Sequence, residues 1–454
     1  MKKFFSVIIC CVMFLSLLAL GGCGEIVLKD GPAKTDLVTG NGSLTVRKGD
    51  YLYFVNGYVS NAKLSGNDNN YGASDNGAIY RAKLENGELM YDVKVNEDKT
   101  ETKTLKNVEL LVPKIAGFEY TSLHIYGESL FFTTPNTEKD NTGKIRFDLT
   151  DVFVVNINGG KVNKVANAIN ASSLDQIQFS YSDAKVYVCY TNDNNLYNVR
   201  VSNLKVENAT KVAESVSSFG VSSSNGYAYF TRSFVEGENS VAGNVLCKLN
   251  LKTNEEEVIF RDNYNTFSIK KITEDKIYYS RTNSLVTNKY IYSLKLDNLN
   301  LESEKQYTIV SYSDNQYIYD LGAGFESGVI TTNNNKLLLI TGIKNPETEL
   351  IELYDGSFTI LGISNENVFG KDSNGNLVKV NIFNKQSEVL LSSDSNLDTE
   401  MKQNFDFDNN YVYYYVKYTG DDSVEGYYLN RLNLKDKTTE LVGKLLDKHI
   451  KTEE

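Results

Sequence analysis

Residues 274–282 read EDKIYYSRT: an acidic turn, a knot of isoleucine and tyrosine, then small and basic polar residues. The same phrase returns as ESLFFTTP at 128–135, DAKVYVCYT at 183–191, NGYAYFTRS at 225–233 and NNYVYYYVK at 409–417. Each knot opens a longer unit. Its second half is an alternating strand, a tight polar turn and another short strand, as in VLCKLNLKTNEEEVIF at 245–260 and LNRLNLKDKTTELVG at 429–443. Period-two alternation broken by turns rich in Asn, Gly, Asp and Lys is the sequence sign of antiparallel hairpins. Helical spacing is confined to the charged tail KLLDKHIKTEE.

The two halves together give about eight units, a period of about 50 residues that falls in the range of propeller blades. Their knots begin near Tyr51, Leu130, Val186, Tyr227, Ile277, Leu337, Val368 and Tyr411. The sixth, NNNKLLLITG, has no aromatics and the seventh, NENVFGKDSNGN, is the weakest match, so seven blades is the alternative count. Burial pattern separates a propeller from a sandwich. A sandwich strand buries one face and alternates strictly. Knots such as YVYYYV are apolar on both faces, as a strand covered by a neighbouring sheet on each side must be. The expected fold is therefore all-β: a β-propeller of about eight four-stranded antiparallel blades, spanning residues 43–446.

Within the knots, YFTR (229–232), YYSR (278–281) and FFTT (131–134) resemble degenerate forms of the Tyr-Trp-Thr-Asp repeat of low-density-lipoprotein-receptor-type propellers. The chain is most similar to the related propellers of bacterial secreted and lipid-anchored proteins. It departs from the receptor type in having more units, no Trp, and Arg or Thr at the Asp position. The resemblance therefore carries over no binding residue.

The chain opens with Lys2 and Lys3, an uncharged apolar run from Phe4 to Leu20, then Gly21, Gly22 and Cys23. The run is short for a spanning helix and has the layout of a signal peptide. LGGC resembles a bacterial lipobox, which implies cleavage after residue 22 and a diacylglycerol on Cys23. Dual acylation makes a stable anchor. The expected organisation is a lipoprotein signal peptide (1–22), a lipid-anchored linker (23–42), the propeller, and a charged tail (447–454). The expected location is the cell envelope, outside the cytoplasm and tethered to a membrane. Removing residues 1–22 takes away two lysines and moves the net charge from −11 to −13. An acidic surface with no basic stripe argues against nucleic acid.

Function is less legible. With A–B–C–D strand order, the A–B and C–D turns share one end of the disc, and the B–C loops share the other with the links between blades. The B–C segments 60–77, 135–151, 232–244 and 417–426 read as long, irregular loops, so the expected protein or glycan partner is placed on that face. Asp68, Asp75, Asp140, Asp372, Asp421, Asp422 and Glu425 lie near glycines, but no loop has both the Gly and the Glu of an EF-hand, and hairpin turns explain them. No metal or cofactor is assigned. Two histidines, His124 and His449, give no basis for a triad or a zinc site, and no catalytic residue is assigned. Cys189 and Cys247 fall in strand-like runs and read as buried thiols. The reading is a non-enzymatic binding or scaffold module. The alternative is a carbohydrate-active enzyme with acidic residues at the mouth of the central channel.

Overall fold

A computed structural model of the chain describes residues 26–442, apart from 60–77, 98, 100, 113–121, 140, 143–144, 171–175, 237–240, 284–289, 309–315, 320–327, 334–335, 341–349, 394–404, 409 and 420–424. Eight antiparallel sheets of at least four strands follow one another along the chain, at 45–112, 123–169, 177–213, 216–262, 265–308, 316–354, 358–391 and 405–441. Within each, strands A to D pair in order. The fold is an eight-bladed β-propeller.

The two middle strands explain the aromatic knots. Tyr51–Val55, strand B of the first blade, is buried at every position. In the third blade, Val186 to Tyr190 are all buried. The outermost strands are wet: Glu255–Asp262 of the fourth blade and Ser387–Leu391 of the seventh are largely exposed or half-buried. Apolar clusters fill seven of the eight junctions between neighbouring blades, including the one between the last and the first. Much of the junction between the fifth and sixth blades lies outside the described residues.

Two units are assembled differently from the sequence expectation. In the sixth blade, LLLI belongs to strand C (Lys336–Ile340), and strand B is Gly328–Asn333, GVITTN. The run of leucines imitates a doubly covered B strand. In the first blade, the second half of the unit is not a plain strand, turn and strand. Strand C is Ile79–Lys83, strand D is Val108–Val112, and an extra hairpin, Tyr91–Val95 with Glu101–Leu105, is inserted between them.

A polar row recurs across the sheets. Reading from strand B through C to D, directly paired residues are Tyr53–Arg81–Glu109 in the first blade and Tyr229–Lys248–Glu257 in the fourth. They are Phe369–Lys379–Glu388 in the seventh and Tyr413–Arg431–Glu440 in the eighth. Tyr187 pairs with Arg200 in the third blade, where Glu207 lies 3.9 Å from the guanidinium. The ring two residues before the B-strand aromatic lies under the cation: Tyr51 under Arg81 at 4.9 Å, Tyr227 under Lys248 at 4.3 Å, Tyr411 under Arg431 at 4.2 Å. A cation over a ring and beside a carboxylate retains much of the stabilisation that burial removes.

The same cation reaches the next blade. Arg81 donates to the Ile157 carbonyl (3.3 Å) and to Asn158 Oδ1 (2.6 Å), and the Tyr53 hydroxyl donates to the same Ile157 carbonyl (3.2 Å). Arg200 and Asn198 donate to the Leu251 carbonyl at 3.2 and 2.9 Å. Ile157 and Leu251 are equivalent, each the first residue after strand C of its blade. Arg431 of the last blade reaches Glu88 of the first at 3.4 Å.

The ring closes through a short strand that the first blade adds to the last sheet. The last sheet is built from residues 405–441, and its added pairing comes from Gly57–Val59, which runs on from strand B of the first blade to meet Gly426, Tyr427 and Tyr428. The Tyr415 hydroxyl donates to the Val55 carbonyl (3.3 Å), and Tyr91 of the inserted hairpin donates to the Leu441 carbonyl (3.0 Å). Upstream of the first blade, Val27 bridges to Gly159 of the second blade.

Arg81→Met is expected to cost about 2–4 kcal/mol, because it removes the buried guanidinium that bonds Glu109, Asn158 and the Asp30 carbonyl and leaves the Ile157 carbonyl with the Tyr53 hydroxyl. Lys252→Met, which breaks an ion pair exposed on both sides, is expected to leave the melting curve in place. Thermal melting of the two variants side by side checks this, and equal shifts would count against the clamp.

Candidate functional site

A cleft of about 390 Å³ in which titratable groups converge opens at the closing seam. It is walled by strand A and the A–B turn of the eighth blade (Asp406, Asp408, Asn410), strand A of the first (Thr45, Arg47), and the A–B turn of the seventh (Ser364, Asn365), with Tyr411, Tyr413 and Arg431 at its side. These turns belong to the end of the disc opposite the B–C segments. The polar cleft therefore lies on the face where the sequence reading did not place a site.

Each acidic group in this region already has partners. Asp406 is buried and accepts a short hydrogen bond from the Thr45 hydroxyl across the seam. Burial pushes its carboxyl up to about 6; the Thr45 hydroxyl opposes the shift and the nearby Asp408 charge adds to it. Asp408 is raised by burial and held back by the backbone N–H groups of Asn410 and Tyr411, which donate to its Oδ1 at 2.7 and 2.6 Å. Glu88 accepts a short hydrogen bond from the Tyr411 hydroxyl, and Glu440 accepts from Arg431 Nη2 at 2.7 Å and Nε at 2.9 Å. The arrangement locks the first and last blades together. Asp406 and Asp408, the acidic residues that line the cleft, share one strand end of the eighth blade.

On the opposite end, the described residues of three of the four expected loops are mostly strand. Ser129–Lys139 pairs with Ile145–Asn156, Tyr227–Glu236 with Val241–Asn250, and Tyr411–Thr419 with Glu425–Asn433. The described parts of segments 135–151, 232–244 and 417–426 thus prolong the B and C strands of the second, fourth and eighth blades as hairpins. They were read as loops because their polar residues hide the alternation, and because Pro135 stands where the pairing register shifts. Segment 60–77 lies outside the described residues.

The remaining candidates fall into place as follows. Cys23, His449, Asp68, Asp75, Asp140, Asp421 and Asp422 lie outside the described residues. Glu425 begins a strand. Asp372 is spent on its own turn, accepting from the Asn374 and Asn376 N–H groups, both at 2.9 Å. His124 sits on strand A of the second blade with its ring 4.2 Å from that of Phe179; burial pushes it down to about 3, so it is neutral. Cys189 and Cys247 are unpaired and buried in the cluster between the third and fourth blades. Burial pushes the Cys247 thiol up to about 12, which leaves it unreactive. Among the described residues no group of three or more His, Cys, Asp or Glu is placed to hold a metal ion, and no helix is long and apolar enough to cross a membrane. The cation row was missed in the sequence. Its signal was a Lys or Arg at one fixed position in YRAKL, YNVRV, LCKLN, LVKVN and LNRLN.

No protein-family model and no curated relative matches the chain. Among solved structures, it is similar to an oligogalacturonate lyase from Vibrio parahaemolyticus at 12% identity, with 77% of this chain and 97% of that one aligned and a TM-score of 0.41. It is also similar to a prolyl endopeptidase (10%, 88% and 56%, 0.46) and to the β-propeller domain of the trilobed protease from Pyrococcus furiosus (10%, 79% and 98%, 0.39). Likeness at this level transfers no activity. The fold rests on the eight sheets themselves.

Asp406 sets an expected pH dependence. Its native carboxyl holds a proton up to about 6, against an ordinary value of 3.8, so the native state binds more protons than the unfolded state in that window. Its contribution is fully present below the unfolded value and is lost as pH rises through about 6. Asp406→Asn is therefore expected to raise the melting temperature at pH 8, with the gain shrinking toward pH 4. A gain that is constant with pH would show that the carboxyl is not the cause.

Proposed function

We propose that the chain is a lipid-anchored, extracytoplasmic β-propeller that acts as a non-enzymatic binding or scaffold module. Cys23 carries the lipid, and a protein or glycan is held on the hairpin face. The observation that carries this reading is the set of long hairpins standing on a rigid ring, at the second, fourth and eighth blades. Recognition surfaces are commonly built from projecting segments on such a scaffold. The titratable groups of the opposite cleft support the same reading, since they are bonded across the closing seam. The lipid anchor is supported by the signal-peptide layout and the LGGC sequence at 20–23.

Three outcomes are expected. Cys23→Ser moves the protein from the membrane pellet to the soluble fraction. Replacing residues 137–144 and 237–240 with two-residue turns abolishes co-purification of a crosslinked partner from membranes, with melting temperature unchanged. The purified protein turns over no polysaccharide. Polysaccharide cleavage that Asp408→Asn removes would replace this reading with the carbohydrate-active one.

A further inference from the structure

The stretch that follows Cys23 is not a free leash. Gly160 N–H donates to the Ile26 carbonyl (2.6 Å) and Leu28 N–H to the Asn158 carbonyl (2.8 Å), which fixes residues 26–28 on the C–D turn of the second blade. The Asp30 carbonyl then accepts a short hydrogen bond from Arg81. Lys48 Nζ donates to the Lys34 and Asp36 carbonyls, both at 3.0 Å, and Val38–Thr39 pairs with Arg47 and Lys48 of strand A in the first blade. From Ile26 to Thr39 the chain is thus bonded to the underside of the ring, the face of the A–B and C–D turns. Only Gly24 and Glu25 separate Cys23 from it, a reach of roughly 10 Å.

That segment also exposes aliphatic side chains. Val27 is 69% exposed and Leu37 77% exposed, and Lys29 and Lys34 stand exposed along the same stretch. Exposed aliphatics with lysines beside a lipid attachment point have the chemistry of a surface that enters the headgroup layer, where short apolar side chains gain burial and lysines meet phosphate.

We infer that the turn face of the first and second blades is carried against the bilayer, with Val27 and Leu37 in the headgroup region and the hairpins directed away from it. This rests on the lipid-anchored reading and adds an orientation to it. A short, bonded attachment cannot let the disc turn over, whereas a free linker of the same length could.

The test uses the full-length lipidated protein in phosphatidylglycerol–phosphatidylethanolamine vesicles. One dye is placed at Lys161→Cys on the turn face, or at Ser373→Cys on a B–C turn of the opposite face; the native Cys189 and Cys247 are buried. With a headgroup-borne quencher, fluorescence at position 161 is expected to fall severalfold more than at 373. A long Gly/Ser insert between Glu25 and Ile26 is expected to erase that difference while leaving the protein on the vesicle. Val27→Ser with Leu37→Ser is expected to reduce it at unchanged melting temperature. Equal quenching at the two positions of the lipidated protein overturns the orientation. Absence of diacylglycerol on the N-terminal peptide by mass spectrometry overturns the anchor itself, and the two results are told apart by that spectrum.

Discussion

A strand that is apolar on both faces cannot be left at the end of a stack. Each B strand here needs a sheet before it and another after it, and only a closed circle gives that to all eight. Burying a large aliphatic or aromatic side chain is worth about 2 kcal/mol, and each junction buries many. Apolar burial is non-directional, however, and does not set the angle at which neighbouring sheets meet. The cation row supplies direction. A guanidinium seated on a tyrosine, tied to a glutamate in its own sheet and to a carbonyl of the next, holds two blades in one relative position. Arg81 does this through the Ile157 carbonyl, and Arg200, beside Glu207, reaches the equivalent carbonyl of Leu251.

The junction between the ends of the chain is the costly one, because nothing covalent holds it. This chain bridges it with side chains and one three-residue strand, Gly57–Val59. Thr45 meets Asp406, Tyr415 meets Val55, Arg431 and Tyr411 meet Glu88, and three residues of the first blade pair with the eighth. The inserted hairpin adds Leu105 to the shared apolar cluster and Tyr91 to its edge. The titratable groups concentrate at this place because a polar contact there must replace a missing peptide link.

The architecture was readable because double-sided burial leaves a direct trace in composition: runs such as YVYYYV have no other simple use in a soluble sheet. The blade count was readable for the same reason, and it faltered at the sixth unit, where leucines on strand C imitated strand B. The hairpins were misread as loops because their polar residues hide the alternation and Pro135 stands where the pairing register shifts. The seam was invisible. Thr45 and Asp406 are 361 positions apart, and nothing in either neighbourhood marks the other. The cation row lay between these cases. It repeats at a fixed place in the strand, yet a lysine or arginine in an outer strand reads as ordinary solvated charge until pairing shows what stands on either side of it.

Strands A to D of each blade come from one stretch of chain, and only the eighth sheet takes a further strand, Gly57–Val59, from elsewhere. A linear array of repeats needs special first and last members to shield its ends from water; here the final repeat does that duty for the first, and no member has to be set aside for it. The wedge that each must fill is then fixed by how many there are. Gain or loss of a unit by duplication would leave every sheet intact but change the angle at all the joints at once, so the repeat number of such a chain is held by geometry even where its letters drift.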